Sequence, residues 1–104
     1  DIRGMAHITG GGLPENLPRV LPPGLDFILD KRKIPVTPVF SLLQSAGNVP
    51  ETDMYRTFNM GIGFVLVISP GDFASFEREM DKQGEKYFLI GEVVPGEGKV
   101  LFKQ

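Results

Sequence analysis

Residues 5–21 read MAHITGGGLPENLPRVL, in which a short apolar segment, three consecutive glycines and a helix start follow one another directly. The first part, Met5–Thr9, has the composition of a β-strand and contains the single histidine, His7. Glycine has no Cβ, so the main-chain N–H groups of residues 10–12 can approach an anion closely. The N-terminus of the following helix adds unsatisfied donors and a partial positive charge. This order of elements predicts a phosphate-binding loop.

Both features of this stretch also have an ordinary structural interpretation. A tight turn that needs positive φ would account for one or two glycines, whereas three favour a backbone that is kept bare for a ligand. His7 could act as an acid, a base or a hydrogen-bond donor, because imidazole exchanges a proton near neutral pH. It could equally be a satisfied histidine inside a sheet.

The composition of the 104-residue chain indicates one ordered domain, predicted to span residues 1–104. Hydrophobic residues make up 41% of the chain and charged residues 23%, which is near the globular average. The net charge of −2 argues against nonspecific nucleic-acid binding, which needs clustered lysine and arginine. The basic run Lys31-Arg32-Lys33 is expected to form a solvated loop between a strand and a helix. With no cysteine and one histidine, no metal site is predicted.

The sequence contains no membrane-targeting signal. No apolar stretch reaches the roughly 20 residues needed to span a bilayer, and no signal peptide opens the chain. These features predict a cytoplasmic protein that has no membrane partner. Because the chain begins at Asp1 rather than Met, it is expected to be a piece of a longer protein.

Apolar periodicity and turn residues divide the chain into alternating strands and helices. The predicted strands are 5–9, 25–30, 64–68, 87–94 and 100–102, and the predicted helices are 15–21, 38–46, 51–58 and 70–83. They imply an α/β fold of the α+β kind. In this fold, helices cover a mixed β-sheet in a layered sandwich that has partial ferredoxin-like topology.

Two segments carry specific expectations about packing. In the second helix, Val39, Leu42, Leu43 and Ala46 fall at i, i+3, i+4 and i+7, so they should form its buried face. The unbroken apolar run Phe64–Ile68 fits a central strand that is covered on both faces. The last two strands are joined by a glycine-rich connection and are expected to pair as a hairpin.

A second group of polar residues stands at 56–59, where the sequence reads RTFN just before two further glycines. The guanidinium of Arg56 and the amide of Asn59, with Thr57 between them, could bind a phosphate or a purine-like ring. Helix capping and a surface ion pair are the alternative interpretation. The carboxylates of Asp26 and Asp30 share one strand face about 13 Å apart, which is too far for paired-carboxylate catalysis.

Three segments together resemble the C-terminal domain of the aminoimidazole ribonucleotide synthetase family, the phosphoribosylformylglycinamidine cyclo-ligases. They read AHITGGGLPENLPRVLP at 6–22, VFSLLQSAGNVPETDMYRTFNMGIGFVLVIS at 39–69 and YFLIGEVV at 87–94. The likeness covers nearly the whole chain. His-Ile-Thr-Gly-Gly-Gly and Arg-Thr-Phe-Asn-x-Gly-x-Gly are its most specific motifs.

This resemblance implies a ligase of de novo purine biosynthesis. Such an enzyme uses ATP to close formylglycinamidine ribonucleotide into aminoimidazole ribonucleotide, with Mg²⁺ as the usual cofactor of the phosphoryl transfer. The chain would then be the larger part of the C-terminal domain. The family's N-terminal domain, which binds ATP and Mg²⁺ and forms much of a homodimer interface, is absent, so the fragment alone is expected to be inactive.

The resemblance also assigns roles to individual residues. His7 would be the catalytic group, as a proton-transfer or orienting side chain. The residues expected to face the substrate or a nucleotide phosphate are Gly10, Gly11, Gly12 and Asn16. The supporting residues would be Thr9, Arg56, Thr57 and Asn59. The alternative is a noncatalytic phosphate- or nucleotide-binding module of a related ATP-dependent enzyme.

Overall fold

Helices and two separate β-sheets make up the computed structural model, which describes residues 2–103 and leaves out Asp1 and Gln104. The strands are β1 (Ile2–His7), β2 (Leu25–Asp30), β3 (Phe64–Ile68), β4 (Gly91–Pro95) and β5 (Val100–Lys103). The helices are α1 (Gly12–Asn16), α2 (Pro38–Gly47), α3 (Glu51–Thr57) and α4 (Phe73–Gln83). Short 3₁₀ turns lie at Leu17–Val20, Lys31–Lys33 and Pro70–Asp72. The α+β class predicted from the sequence is confirmed.

The core lies between the inner faces of the two sheets and the helices α1 and α3, which pack against each other. Its most deeply buried side chains are Leu13 of α1, Leu17 of the following 3₁₀ turn and Met54 of α3. Phe27 and Leu29 of β2 complete this cluster from the sheet. The glycine loop before α1 is therefore anchored directly on the core.

The larger sheet has the order β4-β2-β5, with β2 antiparallel to β4 and parallel to β5. The hairpin expected between the last two strands is therefore wrong, because both pair with β2 from opposite sides. The connection between them crosses the end of β2. There the carboxylate of Asp26 accepts hydrogen bonds from the N–H groups of Glu97, Gly98 and Lys99 at 2.8, 2.9 and 2.8 Å.

The smaller sheet contains only β1 and β3 among the described residues, in an antiparallel pair. Ala6 lies opposite Val65 and faces the core, whereas Met5 lies opposite Leu66 on the outer face. Phe64 also faces outward and is 56% exposed. The expectation of a central strand covered on both faces is thus wrong for residues 2–103, because no element of this range covers the outer face.

Helix α2 forms where the sequence predicts it, but its buried face was predicted wrongly. Val39, Leu42 and Leu43 are exposed, and Leu42 retains 67% of its accessible surface. The inward side chain is Phe40, whose ring lies 5.5 Å from that of Phe58. A periodic apolar stripe predicts that a helix forms, but it does not determine which neighbour the helix packs against.

The ends of several elements differ from the prediction, most clearly those of β1, the first helix and β4. β1 occupies Ile2–His7 rather than 5–9, and the first helix divides into α1 and a 3₁₀ turn that begins just before Pro18. Residues 87–90 are not part of β4. Instead, the Tyr87 hydroxyl donates a hydrogen bond to Glu77 of α4 at 2.7 Å, and its ring packs on Phe76 at 5.3 Å.

Candidate functional site

The three glycines after β1 occupy three different environments. Gly11 and Gly12 have φ angles of 97° and 62°, in the left-handed region that favours glycine. A Cβ at Gly12 would also lie 1.9 Å from the carbonyl oxygen of Tyr55, so this glycine allows α3 to approach the loop. Gly10 has neither property, and a Cβ there would meet nothing within 4 Å. The fold thus explains two of the glycines and leaves Gly10 as open backbone.

Asn16 holds this loop in shape from inside the protein. Its side-chain N–H₂ donates to the carbonyl oxygens of Gly12 at 2.8 Å and Thr9 at 3.2 Å, while its oxygen accepts from the Thr9 hydroxyl at 3.2 Å. Asn16 is only 5% exposed. The loop carbonyls are thereby drawn toward Asn16, and the N–H groups of Gly10 and Gly11 have no acceptor among residues 2–103.

The end of the first motif, just before the glycine loop, and the RTFN segment meet at one cavity of about 300 Å³. The cavity is lined by Ile8, Thr9, Phe40, Thr57, Phe58 and Asn59. It therefore brings together three of the polar residues singled out in the sequence, one from the first motif and two from the second. The aromatic wall formed by Phe40 and Phe58 was not predicted. Phe58 lies inside the motif, whereas no sequence signal distinguishes Phe40.

A tight turn positions Asn59 at the cavity. The N–H of Ile62 donates to the Asn59 carbonyl at 3.0 Å, and Met60 and Gly61 both have positive φ, as in a type I′ turn. The side-chain oxygen of Asn59 accepts from the Gly61 N–H at 2.8 Å. The two N–H donors of its Nδ2 atom have no acceptor within residues 2–103, so they can donate to a ligand in the cavity.

Of the predicted site residues, only Thr9, Thr57 and Asn59 line this cavity; Gly10, Gly11, Gly12 and Asn16 follow Thr9 in the chain without lining it, and His7 and Arg56 lie elsewhere. His7 is exposed on the outer face of β1, where its ring stacks on Phe64 with centroids 6.4 Å apart. Arg56 lines a second cavity. Successive residues of a helix point about 100° apart, so Arg56 and the next residue, Thr57, face different cavities. The roles given to His7 and Arg56 stay predictions.

The described residues offer no metal centre of their own. Within residues 2–103, no group of three or more histidine, aspartate and glutamate side chains is arranged to hold a metal ion. The same part of the chain contains no helix that is both long enough and apolar enough to cross a membrane. The polar side chains that line the cavity are those of Thr9, Thr57 and Asn59.

Comparison with known proteins identifies the family of this chain. The family described as AIR synthase related protein, C-terminal domain, matches residues 1–104. A phosphoribosylformylglycinamidine cyclo-ligase of Pseudothermotoga lettingae is 49% identical over 100 residues, which cover 96% of this chain and 30% of that protein.

Further relatives with the same name match at similar levels. The protein of Brevibacillus brevis is 46% identical over 102 residues, and that of a Cyanothece strain is 51% identical over 100 residues. The matches cover 98% and 96% of this chain, and 30% and 27% of the two relatives. The chain thus spans less than a third of the length of the relatives it matches. On the match of the family to residues 1–104, the chain belongs to the AIR synthase related proteins and corresponds to their C-terminal domain.

Proposed function

We propose that this chain is the larger part of the C-terminal domain of a phosphoribosylformylglycinamidine cyclo-ligase. The whole enzyme would use ATP to cyclise formylglycinamidine ribonucleotide to aminoimidazole ribonucleotide in de novo purine biosynthesis. The observation that carries the proposal is the cavity that Thr9, the residue directly before the glycine loop, shares with Thr57 and Asn59 of the RTFN segment. Relatives that match nearly all of this chain carry the cyclo-ligase name.

In this proposal, the glycine loop binds a phosphate oxygen of the ribonucleotide or of ATP. The N–H groups of Gly10 and Gly11 donate to the oxygen, while Asn16 fixes the loop carbonyls on the opposite side. The Thr57 hydroxyl supplies a further donor at the cavity, whereas the Thr9 hydroxyl donates to Asn16. Because these groups are held before the ligand arrives, they stabilise developing negative charge without reorganising.

The remaining parts of the reaction are assigned outside this chain. Mg²⁺ and much of the ATP site would belong to an N-terminal domain of the same enzyme. The exposed apolar faces of α2 and β3 offer surface for contact with further polypeptide, including a homodimer partner. The enzyme would work in the cytoplasm.

A comparison of glycine variants tests the role of the loop. In the native polypeptide that contains this chain, Gly10→Ala should leave the free energy of unfolding nearly unchanged, since its Cβ meets no atom within 4 Å. It should weaken binding of the ribonucleotide or of ATP about tenfold or more, because the methyl group blocks approach to the N–H groups. Isothermal titration calorimetry with the ribonucleotide, ATP and inorganic phosphate measures this.

The matched control is Gly71→Ala, because Gly71 also has open space around its Cβ and no positive φ. It should change neither stability nor binding. If both alanine variants bind as the wild type does, the loop does not contact the ligand. Equal weak binding of all three ligands by the wild type would favour the noncatalytic phosphate-binding module instead.

A further inference from the structure

A second cavity, of about 210 Å³, lies on another side of α3 from the candidate site. It is formed where α3 approaches β5 and the end of β2. It is lined by Pro14, Lys31, Thr52, Tyr55, Arg56, Val100 and Phe102. Apart from Arg56, none of these residues belongs to the proposed phosphate-binding loop or to the RTFN segment.

Lys31 is held in this cavity rather than solvated, contrary to the loop expected for the basic run. Its Nζ atom lies 5.2 Å from the ring centroids of both Tyr55 and Phe102, within range of a cation–π interaction. Its side chain is 20% exposed, whereas that of its neighbour Arg32, which pairs with Asp30, is 68% exposed. The position of the Lys31 cation is therefore fixed by packing.

The cavity carries an excess of positive charge. Lys31 forms an ion pair with Glu51, whose side chain is 57% exposed and can move into solvent. Arg56 lies on the same wall and has no ion-pair partner among residues 2–103. The described residues that line the cavity thus include two cations and no carboxylate, in a chain whose net charge is −2.

The other walls of the cavity are apolar. The rings of Tyr55 and Phe102 pack 4.9 Å apart at an angle of 53°, and Val100 extends this surface along β5. Burial raises the pKa of the Tyr55 hydroxyl, and the nearby Lys31 cation lowers it by less. The phenol therefore stays neutral. A ligand that fits must therefore combine a compact anionic group with a small apolar or aromatic body.

We propose that this cavity is a binding site for a small organic phosphate. A phosphate monoester carries about −1.5 to −2 charges at pH 7, which suits the two cations better than the single charge of a carboxylate. Arg56 presents the guanidinium fork that binds phosphate oxygens in pairs. Lys31 supplies the second cation once Glu51 is displaced, and Phe102 and Val100 contact the organic part.

Phenyl phosphate is the probe that tests this site. The experiment uses the native polypeptide with the Gly10→Ala substitution, which removes the proposed loop site, so that this test and that of the proposed function can fail separately. Isothermal titration calorimetry at low ionic strength should show tighter binding of phenyl phosphate than of benzoate or inorganic phosphate. Equal affinity for phenyl phosphate and benzoate would overturn the proposal.

Two variants with opposite expected effects sharpen the test. Arg56→Gln should weaken phenyl phosphate binding about tenfold, because it removes a charge-assisted pair. Glu51→Gln should strengthen binding severalfold, since it removes the carboxylate that competes for Lys31. The exposed Lys33 does not line the cavity, so Lys33→Gln is the matched control for lost charge.

The comparison with this control decides the outcome. Equal effects of the Arg56 and Lys33 substitutions would show that general charge, rather than the cavity, attracts the ligand, and would overturn the proposal. A Glu51 variant that binds no more tightly than its parent would do the same. Circular dichroism of each variant confirms that the fold is retained.

Discussion

His7 occupies the carboxyl end of β1, three residues before Gly10. Its ring lies on the outer face of the sheet against Phe64, so it makes few contacts that the fold requires. The fold therefore leaves the His7 side chain free to contact a ligand, although it lies away from the cavity of the candidate site. The catalytic role that the resemblance implies for it stays a prediction.

We expect His7→Asn in the native polypeptide to lower kcat by about a hundredfold, the usual loss when a general acid or base is removed. The thermal midpoint should stay close to that of the wild type because the side chain is exposed. Steady-state kinetics across pH 5–9 provide the measurement, and one limb of the pH–rate profile should disappear. An unaltered profile at reduced kcat would assign His7 to positioning instead.

The sequence could not predict that Gly10, Gly11 and Gly12 occupy different environments. Positive φ at Gly11 depends on the turn, and the close approach at Gly12 depends on α3, which lies about forty residues later in the chain. Asn16 shows the same limit. The resemblance implies that Asn16 contacts the ligand, which stays a prediction. Its burial and its hydrogen bonds to Thr9 and Gly12, which hold the loop, could not be predicted from the sequence.

Among the elements, β2 contains two buried carboxylates, those of Asp26 and Asp30, that accept hydrogen bonds from neighbouring segments. The backbone N–H donors of Lys99 and Glu97 lower the pKa of Asp26, and the Arg32 side chain lowers the pKa of Asp30 to about 2. Both carboxylates stabilise the fold when ionised. Asp26 closes the connection between β4 and β5, and Asp30 accepts the N–H of Arg32 at the start of a 3₁₀ turn.

These two shifts predict a specific pH dependence of stability. Both folded pKa values lie below the ordinary value of 3.8, so the stabilisation is present above that pH and is lost as the pH falls through the folded pKa values, about 2 for Asp30. Urea unfolding from pH 5 to 2 should show the decline. Asp26→Asn keeps an acceptor oxygen but no charge, so it should flatten the decline, and Asp26→Ala should lower stability at every pH. An unchanged slope in the asparagine variant would contradict this assignment.

Elements were predictable where local pattern alone decides them. β2 has its predicted ends because alternating apolar residues lie between a Pro-Pro-Gly stop and a basic run. Pro38 at the start of α2 and Gly84 in the left-handed conformation after α4 marked helix ends for similar local reasons. The partners of β3 and the orientation of α2 depend on which distant surfaces meet, and periodicity contains no information about that.

On the scale of the whole molecule, large apolar side chains remain exposed on several elements. They include Met5 and Phe64 on the smaller sheet, Leu42 on α2 and Leu101 on β5. Exposed apolar patches of this kind mark surfaces that contact other polypeptide. The chain spans less than a third of the length of the relatives it matches, so in the proposed cyclo-ligase these faces would contact the remaining polypeptide.

The isolated 104-residue chain is therefore expected to show no cyclo-ligase turnover and to self-associate. An assay of ATP-dependent ring closure tests the first expectation, and analytical ultracentrifugation tests the second. Leu42→Gln should reduce self-association at little cost in stability, because that side chain is 67% exposed. Turnover by the isolated chain, or self-association that this substitution does not change, would contradict the expectation concerned.

The position of β2 at the centre of its sheet has a consequence for biosynthesis. Both of its partners, β4 and β5, lie more than sixty residues later in the chain. During translation, β2 therefore has no strand to pair with until residues 91–103 have left the ribosome. Pairing between segments so far apart in the chain is slow. A nascent chain stalled before that point exposes the edges of its central strand and becomes a substrate for chaperones.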